Sequence, residues 1–241
     1  HEYVPPLAKQ RLEERLSGQY ILSITGEIGV GKSYVTRQLA ALAEAQGMAT
    51  HIVDVDQLGP AILGELQLPL YRDFRAEVAR LFGSALLLPS GAIDRAALGR
   101  RIFADRDQLQ QFNALIYQPL LLQLRRQLYG KRGLVLLDTA LIAESEMSYL
   151  ANNHTVLVGA AAAVQQQRLF ERGYTPAQLQ QRLNSQYSHG LKRQLLEARI
   201  AAGQHGQLWQ LDNTAEGNQA TIAELWKALQ AYFGWESTKN L

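Results

Sequence analysis

Eight consecutive residues, Gly26-Glu27-Ile28-Gly29-Val30-Gly31-Lys32-Ser33, match the pattern G-x-x-x-x-G-K-[ST] at every fixed position. Glycines at this spacing let the main chain curl until several N–H groups point at one spot, and a helix starting there adds partial positive charge. The natural guest is a polyphosphate. Lys32 would reach the β- and γ-phosphates of a nucleoside triphosphate, the Ser33 hydroxyl would hold a Mg²⁺ bridging them, and Tyr34 follows directly on the site. No N-K-x-D tetrapeptide for reading guanine occurs, which favours ATP over GTP.

Three further groups carry charge suited to phosphate chemistry. Asp54-Val55-Asp56 closes an apolar stretch, and in an open α/β sheet ligands sit beyond the carboxyl ends of strands. On an extended strand end, alternation turns Asp54 and Asp56 to the same side. Asp56 is then placed for chemistry, while the bland alternative for either acid is a cap on the next helix. Leu134-Val135-Leu136-Leu137-Asp138 reads as a buried strand ending in an acid, the pattern of a carboxylate that reaches Mg²⁺. Arg168 and Arg172, four apart, share one helix face and would meet phosphates; structural ion pairing is the alternative.

Elements must position these groups. Tyr20-Ile21-Leu22-Ser23-Ile24 reads as a short buried strand before the loop, and Tyr34 to Gln46 as a helix after it, ended by Gly47. Ala49 to Val53 makes a second strand. From residue 57 to 127 helical patterns take over. Tyr71 to Phe82 is amphipathic, Pro89-Ser90-Gly91 is a turn, and Asp94 caps a helix through Phe103. Gln108 to Ile116 is expected to break at Pro119, which holds Gln118 extended, with Leu120 to Tyr129 following. This segment carries Arg72, Arg75, Arg80, Arg95, Arg100, Arg101, Arg106, Arg125 and Arg126, mostly solvated helix faces, with two or three expected to contact an anionic substrate. Thr155 to Val158 is a further strand and Ala160 to Arg172 a helix. Thr175-Pro176-Ala177-Gln178 has capping-box spacing, so a second helix runs from there toward Ser188, and the pair would close over phosphates as a lid. Leu208 to Asn213 is a last strand and turn, Thr221 to Tyr232 a closing helix, and the tail from Trp235 is expected to fray. Residues 1 to 19 read as a linker and a short amphipathic helix, Leu7 to Leu16.

Composition narrows the partners. With a formal net charge of +2 over 241 residues, there is no strongly basic surface for nucleic acid, so the partner is a small anionic molecule. The absence of Cys excludes disulfides, thiolate zinc sites and cysteine catalysis, and suits a reducing cytoplasm. Apolar runs such as Val156 to Val164 fall short of the ~18 residues of a membrane span. The chain opens on His1 without the apolar core of a signal peptide, so residue 1 is expected to be a cut boundary or the start of a fragment of something longer.

Along nearly all of residues 20 to 230 the chain resembles the dephospho-CoA kinase family. Thr25 to Ser33 follows its T-G-G-I-G-S-G-K-S loop with Glu27 and Val30 as departures, and Asp54-Val55-Asp56 its D-A-D signature. The discriminating match lies in the helical segment, where Phe82-Gly83 and Gly91-Ala92-Ile93-Asp94-Arg95-Ala96-Ala97-Leu98 through Ile102-Phe103 follow F-G-x-x-[IL] and G-x-[LI]-D-R-x-x-L-x-x-x-[IV]-F. Arg168 and Arg172 map onto the family's lid arginines, Gln186 onto the following Gln, and Leu211-Asp212-Asn213 onto its [IV]-D-N turn, which makes Asn213 a nucleotide-binding residue. Gln118-Pro119-Leu120-Leu121 departs from H-P-L-[IV]. Ala140 to Glu144 departs from P-L-L-[FV]-E but keeps the acid.

The resemblance implies transfer of the γ-phosphoryl of ATP to the ribose 3′-hydroxyl of dephospho-CoA, with Mg²⁺. It implies the α/β fold class in a specific form: a three-layer P-loop kinase core with a parallel sheet, an inserted helical substrate-binding subdomain and a helical lid. The expected boundaries are core 20–56, 133–160 and 206–232, insertion 57–132 and lid 161–205. A kinase for another nucleotide or nucleoside, and a regulatory ATP-binding module without transfer activity, stand as the alternatives.

Overall fold

The computed structural model describes residues 17–184, 186–215 and 217–235. The helix expected within residues 7–16 lies outside them, as does the tail beyond Trp235. The described chain divides into two compact units, one made of the residues up to Val53 and from Lys131 onward, the other of Asp54–Gly130.

The first unit opens with β1 (Gln19–Gly26), α1 (Lys32–Ala45) and β2 (Thr50–Asp54). From Leu22 to Gly26 every residue of β1 is buried, the pattern of a strand covered on both faces of a parallel sheet. Its polar positions are satisfied from within. The Ser23 hydroxyl lies 2.7 Å from that of Thr155 and donates to the His154 carbonyl at 3.1 Å.

The Asp54–Gly130 unit contains α2 (Pro69–Phe82), α3 (Arg95–Ile102) and α4 (Arg106–Leu128). Asp94 caps α3 by accepting the Ala97 N–H at 3.0 Å. The expected break at Pro119 does not occur. α4 runs unbroken through it, and Gln118 is helical and exposed rather than extended. Proline inside a helix costs about 3 kcal/mol. Pro119 is itself buried on the stripe of Phe112, Ile116, Leu120, Leu124 and Leu128, whose five apolar side chains return about 1.5–3 kcal/mol each. Packing therefore outweighs the lost hydrogen bond.

The chain then returns to the first unit with β3 (Gly133–Asp138), β4 (His154–Gly159), α5 (Ala162–Glu171), α6 (Pro176–Asn184), α7 (His189–Gly203), β5 (Gln207–Asp212) and α8 (Gln219–Phe233). The strand order is β2-β3-β1-β4-β5, with β1 parallel to β3 and β4, and β4 parallel to β5. The chain is an α/β protein. Leu22, Ile24, Val35, Leu39, Leu136, Val156, Trp226 and Leu229 lie in one core between the sheet and the helices α1 and α8.

Two expectations about helix ends are corrected. α6 stops at Asn184 rather than running toward Ser188, because Ser188 is extended and its hydroxyl accepts the Leu191 N–H to start α7. Trp235 is not frayed. It is buried, stacks on Phe233 at 4.9 Å and meets Tyr20 edge-on at 5.3 Å, since an indole next to an apolar core gains more from burial than the chain end loses in freedom. The capping box is present: Thr175 N–H donates to Gln178 Oε1 at 3.0 Å and Gln178 N–H to Thr175 Oγ1 at 3.3 Å.

Candidate active site

β1 delivers the chain into the glycine-rich loop, and α1 begins at Lys32 with Gly31 as its cap. Gly31 has φ 92° and makes no side-chain cap bond, so the first turn of α1 presents its N–H groups without one. A side chain at Gly31 would collide with Asn213, whose Nδ2 would lie 2.3 Å from the added Cβ. At Gly29, φ 82°, an added Cβ would meet Leu169 at 2.8 Å. These glycines are required both by backbone conformation and by the close approach of α5 and the β5 turn.

The loop's carbonyls are held from outside. Gln165 of α5 donates to the Ile28 carbonyl at 2.6 Å, and the Ile28 N–H donates to Gln186 Oε1 at 2.9 Å. The Val30 carbonyl accepts from Asn213 Nδ2 at 2.8 Å and from Arg168 Nη1 at 3.2 Å, while Arg168 Nη2 donates to the Asn213 carbonyl at 2.8 Å. Lys32 Nζ donates to the Gly26 carbonyl at 3.3 Å. Arg168 thus spends its guanidinium on two main-chain carbonyls, not on a carboxylate. Gln165 and Asn213 are 6% and 3% exposed, so these bonds replace water that cannot reach the groups.

A cavity of about 350 Å³, within the ~300–1,000 Å³ range of small-ligand pockets, is lined by Gly31, Tyr34, Arg168, Arg172 and Asn213, with Glu171 at its wall. It gathers sequence-predicted residues from the loop, α1, the end of α5 and the β5 turn. Arg172 is the residue that ends α5, exposed, with its N–H on the Arg168 carbonyl at 3.3 Å. Glu27 faces elsewhere and lines a separate cavity of about 660 Å³ with Gly159, His189, Asp212 and Thr214. The Asp212 carboxyl is held below its ordinary value, chiefly by the Thr214 hydroxyl at 2.5 Å and then by the Thr214 N–H at 2.9 Å.

The register of β1 against β3 sets Asp138 beside Ile24, two residues before the loop begins, at the carboxyl end of the sheet. Ser33 is exposed on the first turn of α1. The two acids at the end of β2 and just beyond it behave differently from the expectation of alternation. At Val55 the chain leaves the strand for a single turn, Val55–Gln57, and Asp54 Oδ1 accepts the Asp56 N–H at 3.0 Å. Asp54 is therefore the cap of that turn, because a strand that bends after one residue cannot keep its alternation. Asp56 is exposed within the turn and belongs to the Asp54–Gly130 unit.

A family model described as dephospho-CoA kinase matches residues 20–205, the span that contains the loop, Asp138, Arg168 and Arg172. The chain belongs to the dephospho-CoA kinase family. The dephospho-CoA kinase of Thermobifida fusca is 31% identical over 221 residues, 87% of this chain and 96% of that protein. That of Anaeromyxobacter dehalogenans is 35% identical over 171 residues, 69% and 75% of the respective chains. A solved protein of Thermus thermophilus superposes with a TM-score of 0.58 at 25% identity, over 89% of this chain and 97% of that one. Dephospho-CoA kinases are phosphotransferases with a small nucleotide as substrate, so this chain is a kinase of that kind. Among the described residues no helix is long and apolar enough to cross a membrane.

Two residues that hold main-chain carbonyls here escaped the sequence reading. Gln165 stands three before Arg168, on the same helix face, inside the uninformative run Gln165-Gln166-Gln167. Lys192 is fully buried on α7, four residues before the buried Leu196. A lysine at an apolar helical position was the available signal.

Proposed function

We propose that this kinase transfers the γ-phosphoryl of ATP to the ribose 3′-hydroxyl of dephospho-CoA, with Mg²⁺, in the cytoplasm. The observation that carries the reading is the glycine loop whose Ile28 and Val30 carbonyls are held by Gln165, Asn213 and Arg168 beside a cavity lined by Tyr34 and Arg172. With those carbonyls committed outward, the N–H groups of Gly29, Gly31, Lys32 and Ser33 are what a polyphosphate would meet. The cysteine-free composition suits the cytoplasmic part of the reading.

In this reading the loop 26–33 and Asn213 bind the nucleotide, and Lys32, Arg168 and Arg172 supply positive charge to the transferring group. The transition state is loose, so positioning and charge are the protein's main contributions. Asp56 orients the acceptor hydroxyl and takes its proton as the new O–P bond forms and the bond to ADP breaks. The Ser33 hydroxyl and Asp138 carboxylate are hard oxygen donors of the kind Mg²⁺ takes together with water and phosphate oxygens. A Mg²⁺ held by these two residues would supply positive charge to the phosphates. Helices α5 to α7 act as the lid over the nucleotide, and the Asp54–Gly130 unit takes the acceptor.

The departure at Ala140 does not count against transfer. Two contacts made at that position use its carbonyl, which any residue provides: Lys192 Nζ donates to it at 2.8 Å and Thr25 Oγ1 at 3.5 Å. The deciding experiment is ADP release from ATP with dephospho-CoA against a panel of nucleosides, nucleotides and pantetheine derivatives. Stimulation by dephospho-CoA with a 3′-phosphorylated product is expected. Acceptor-independent hydrolysis would favour the regulatory module, and stronger stimulation by another nucleotide would reassign the acceptor.

A further inference from the structure

Lys192 Nζ has no exposed surface, and the side chain of Glu144 is 9% exposed; the two meet at 2.5 Å. An apolar pair of similar volume avoids the cost of taking two charges out of water, so a buried pair of this kind needs a reason other than stability. Its hydrogen bonds supply one. Besides Glu144, Lys192 Nζ donates to the Ala140 carbonyl, and Glu144 Oε1 also accepts the Tyr187 N–H at 3.0 Å. Two of the three bonds therefore go to main chain, in two different segments.

Each segment leads directly to the nucleotide loop. Ala140 lies two residues beyond Asp138, in a stretch tied to β1 by the Thr139 N–H on the Ile24 carbonyl at 3.2 Å and by Thr25 Oγ1 on Ala140. Tyr187 directly follows Gln186, which accepts the Ile28 N–H. Ile142 and Ala143, the two residues before Glu144, form a small buried apolar cluster with Leu196, one turn after Lys192. The other oxygen, Glu144 Oε2, is buried with no hydrogen-bond partner, so the carboxylate concentrates its bonding on the atom shared by Lys192 and Tyr187.

We infer that Lys192 and Glu144 are positioning residues for phosphoryl transfer: one buried ion pair fixes the stretch after Asp138 and the segment at Gln186–Tyr187 against each other. The carboxylate at the end of β3 and the Gln186 contact on the loop are then set by a single latch and cannot drift independently. The catalytic consequence rests on the kinase reading above; the latch itself does not.

The test separates positioning from packing. Replacing either partner alone strands a buried charge and can prevent folding, so the informative chain carries Lys192→Met together with Glu144→Leu, which refills the volume without charge. Melting temperature, kcat and KM for ATP in dephospho-CoA-dependent ADP release, and amide hydrogen exchange of a peptide spanning 186–192 are measured beside the wild type. We expect a melting temperature close to wild type, KM within about twofold, and kcat lower by about 10- to 100-fold, the scale of a small misplacement in a positioned reaction. Exchange at Tyr187 is expected to quicken by at least about tenfold. Wild-type kcat and exchange in the double variant would overturn the inference, as would a kcat that falls only in step with melting temperature while exchange is unchanged. Should the wild-type chain leave dephospho-CoA unmodified, the proposed activity falls. Exchange at Tyr187 then decides the latch alone, unchanged exchange overturning it.

Discussion

In the unit that carries the glycine loop, Gln165, Arg168, Lys192 and Asn213 all give side-chain donors to main-chain carbonyls, and three of the four are buried. In Asp54–Gly130, eight of the nine arginines from Arg72 to Arg126 are exposed, and only Arg75 is buried. The difference teaches what burial does to a polar group. A buried donor must find a partner or cost about 1–3 kcal/mol, so it fixes the backbone it touches; an exposed one is served by water and fixes little. Loop geometry is consequently built into the first unit, whereas in the second Arg72 and Arg101 hold a carbonyl each and Arg80 pairs with Glu77, and the charge of the other exposed arginines is left for a ligand.

The largest expected effect tests the committed side. Lys32→Ala should lower turnover by at least about 10²-fold, the scale of one lost contact to developing charge, with little change in melting temperature. Steady-state kinetics and thermal melts check both halves. Retention of more than about a tenth of the rate would remove Lys32 from the phosphate site.

Next come the two acids, one from each unit. Asp56→Asn should lower kcat by about 10²-fold with ATP affinity nearly unchanged, the lower end of the roughly 10²–10⁴-fold that one positioned proton acceptor supplies. Asp138→Asn should instead raise the Mg²⁺ concentration needed for half-maximal rate. Magnesium titrations of both variants distinguish them, and the same metal-dependent defect in each would merge roles that this reading keeps apart.

Glycines sharpen the comparison in stability. Gly31 and Gly130 both have positive φ, 92° and 73°, but an added Cβ at Gly130 meets nothing within 4 Å, while at Gly31 it strikes Asn213. Gly130→Ala should cost about 1 kcal/mol and Gly31→Ala about 2–4 kcal/mol, from backbone strain plus the lost Asn213 bond to Val30. Denaturant midpoints measure the gap. Equal losses would mean that the loop's surroundings yield more readily than its hydrogen bonds indicate.

Arginines give a smaller contrast within the helical unit. Arg75 Nη1 donates to the Ile62 and Leu66 carbonyls at 2.8 and 2.9 Å, and burial lowers its pKa, helped by nearby Arg72. Arg75→Met should destabilise by about 1–3 kcal/mol by orphaning those carbonyls. Arg125→Ala, at an exposed site, should stay within about 0.5 kcal/mol. Urea unfolding of both chains settles the order.

The smallest effect is one of pH. The folded carboxyl of Asp212 is held below its ordinary value by Thr214, so its contribution is complete above the unfolded Asp pKa of about 3.9 and is lost as pH falls through the lower folded value. Asp212→Asn should therefore be less stable than wild type at pH 6, by under about 1 kcal/mol for an exposed group, with the difference smaller at pH 3. Unfolding at the two pH values checks the sign, and a gap that widens in acid would contradict it.

Much of this was legible in local sequence. The glycine loop, the strand before it and the helix after it, the capping box at Thr175, the cap at Asp94 and the acid ending β3 all depend on residues within one turn or one strand of each other. Pro119 misled because a local rule about helix interiors was outweighed by a buried stripe visible only once α4 has neighbours. Asp54 and Asp56 misled because alternation presumes a strand that continues, and here it turns at Val55.

The sequence by itself determined the strand, the glycine loop and the helix that follows it, since spacing along the chain dictates those by backbone geometry alone. Only the tertiary structure decided who holds the loop. Gln165 reaches Ile28 across 137 positions and Asn213 reaches Val30 across 183, while Lys192 finds Ala140 and Glu144 from a different helix. The physical reason is that a hydrogen bond between distant segments leaves no period in the chain. It exists because folding buries both groups together and leaves each to stand in for the water the other has lost.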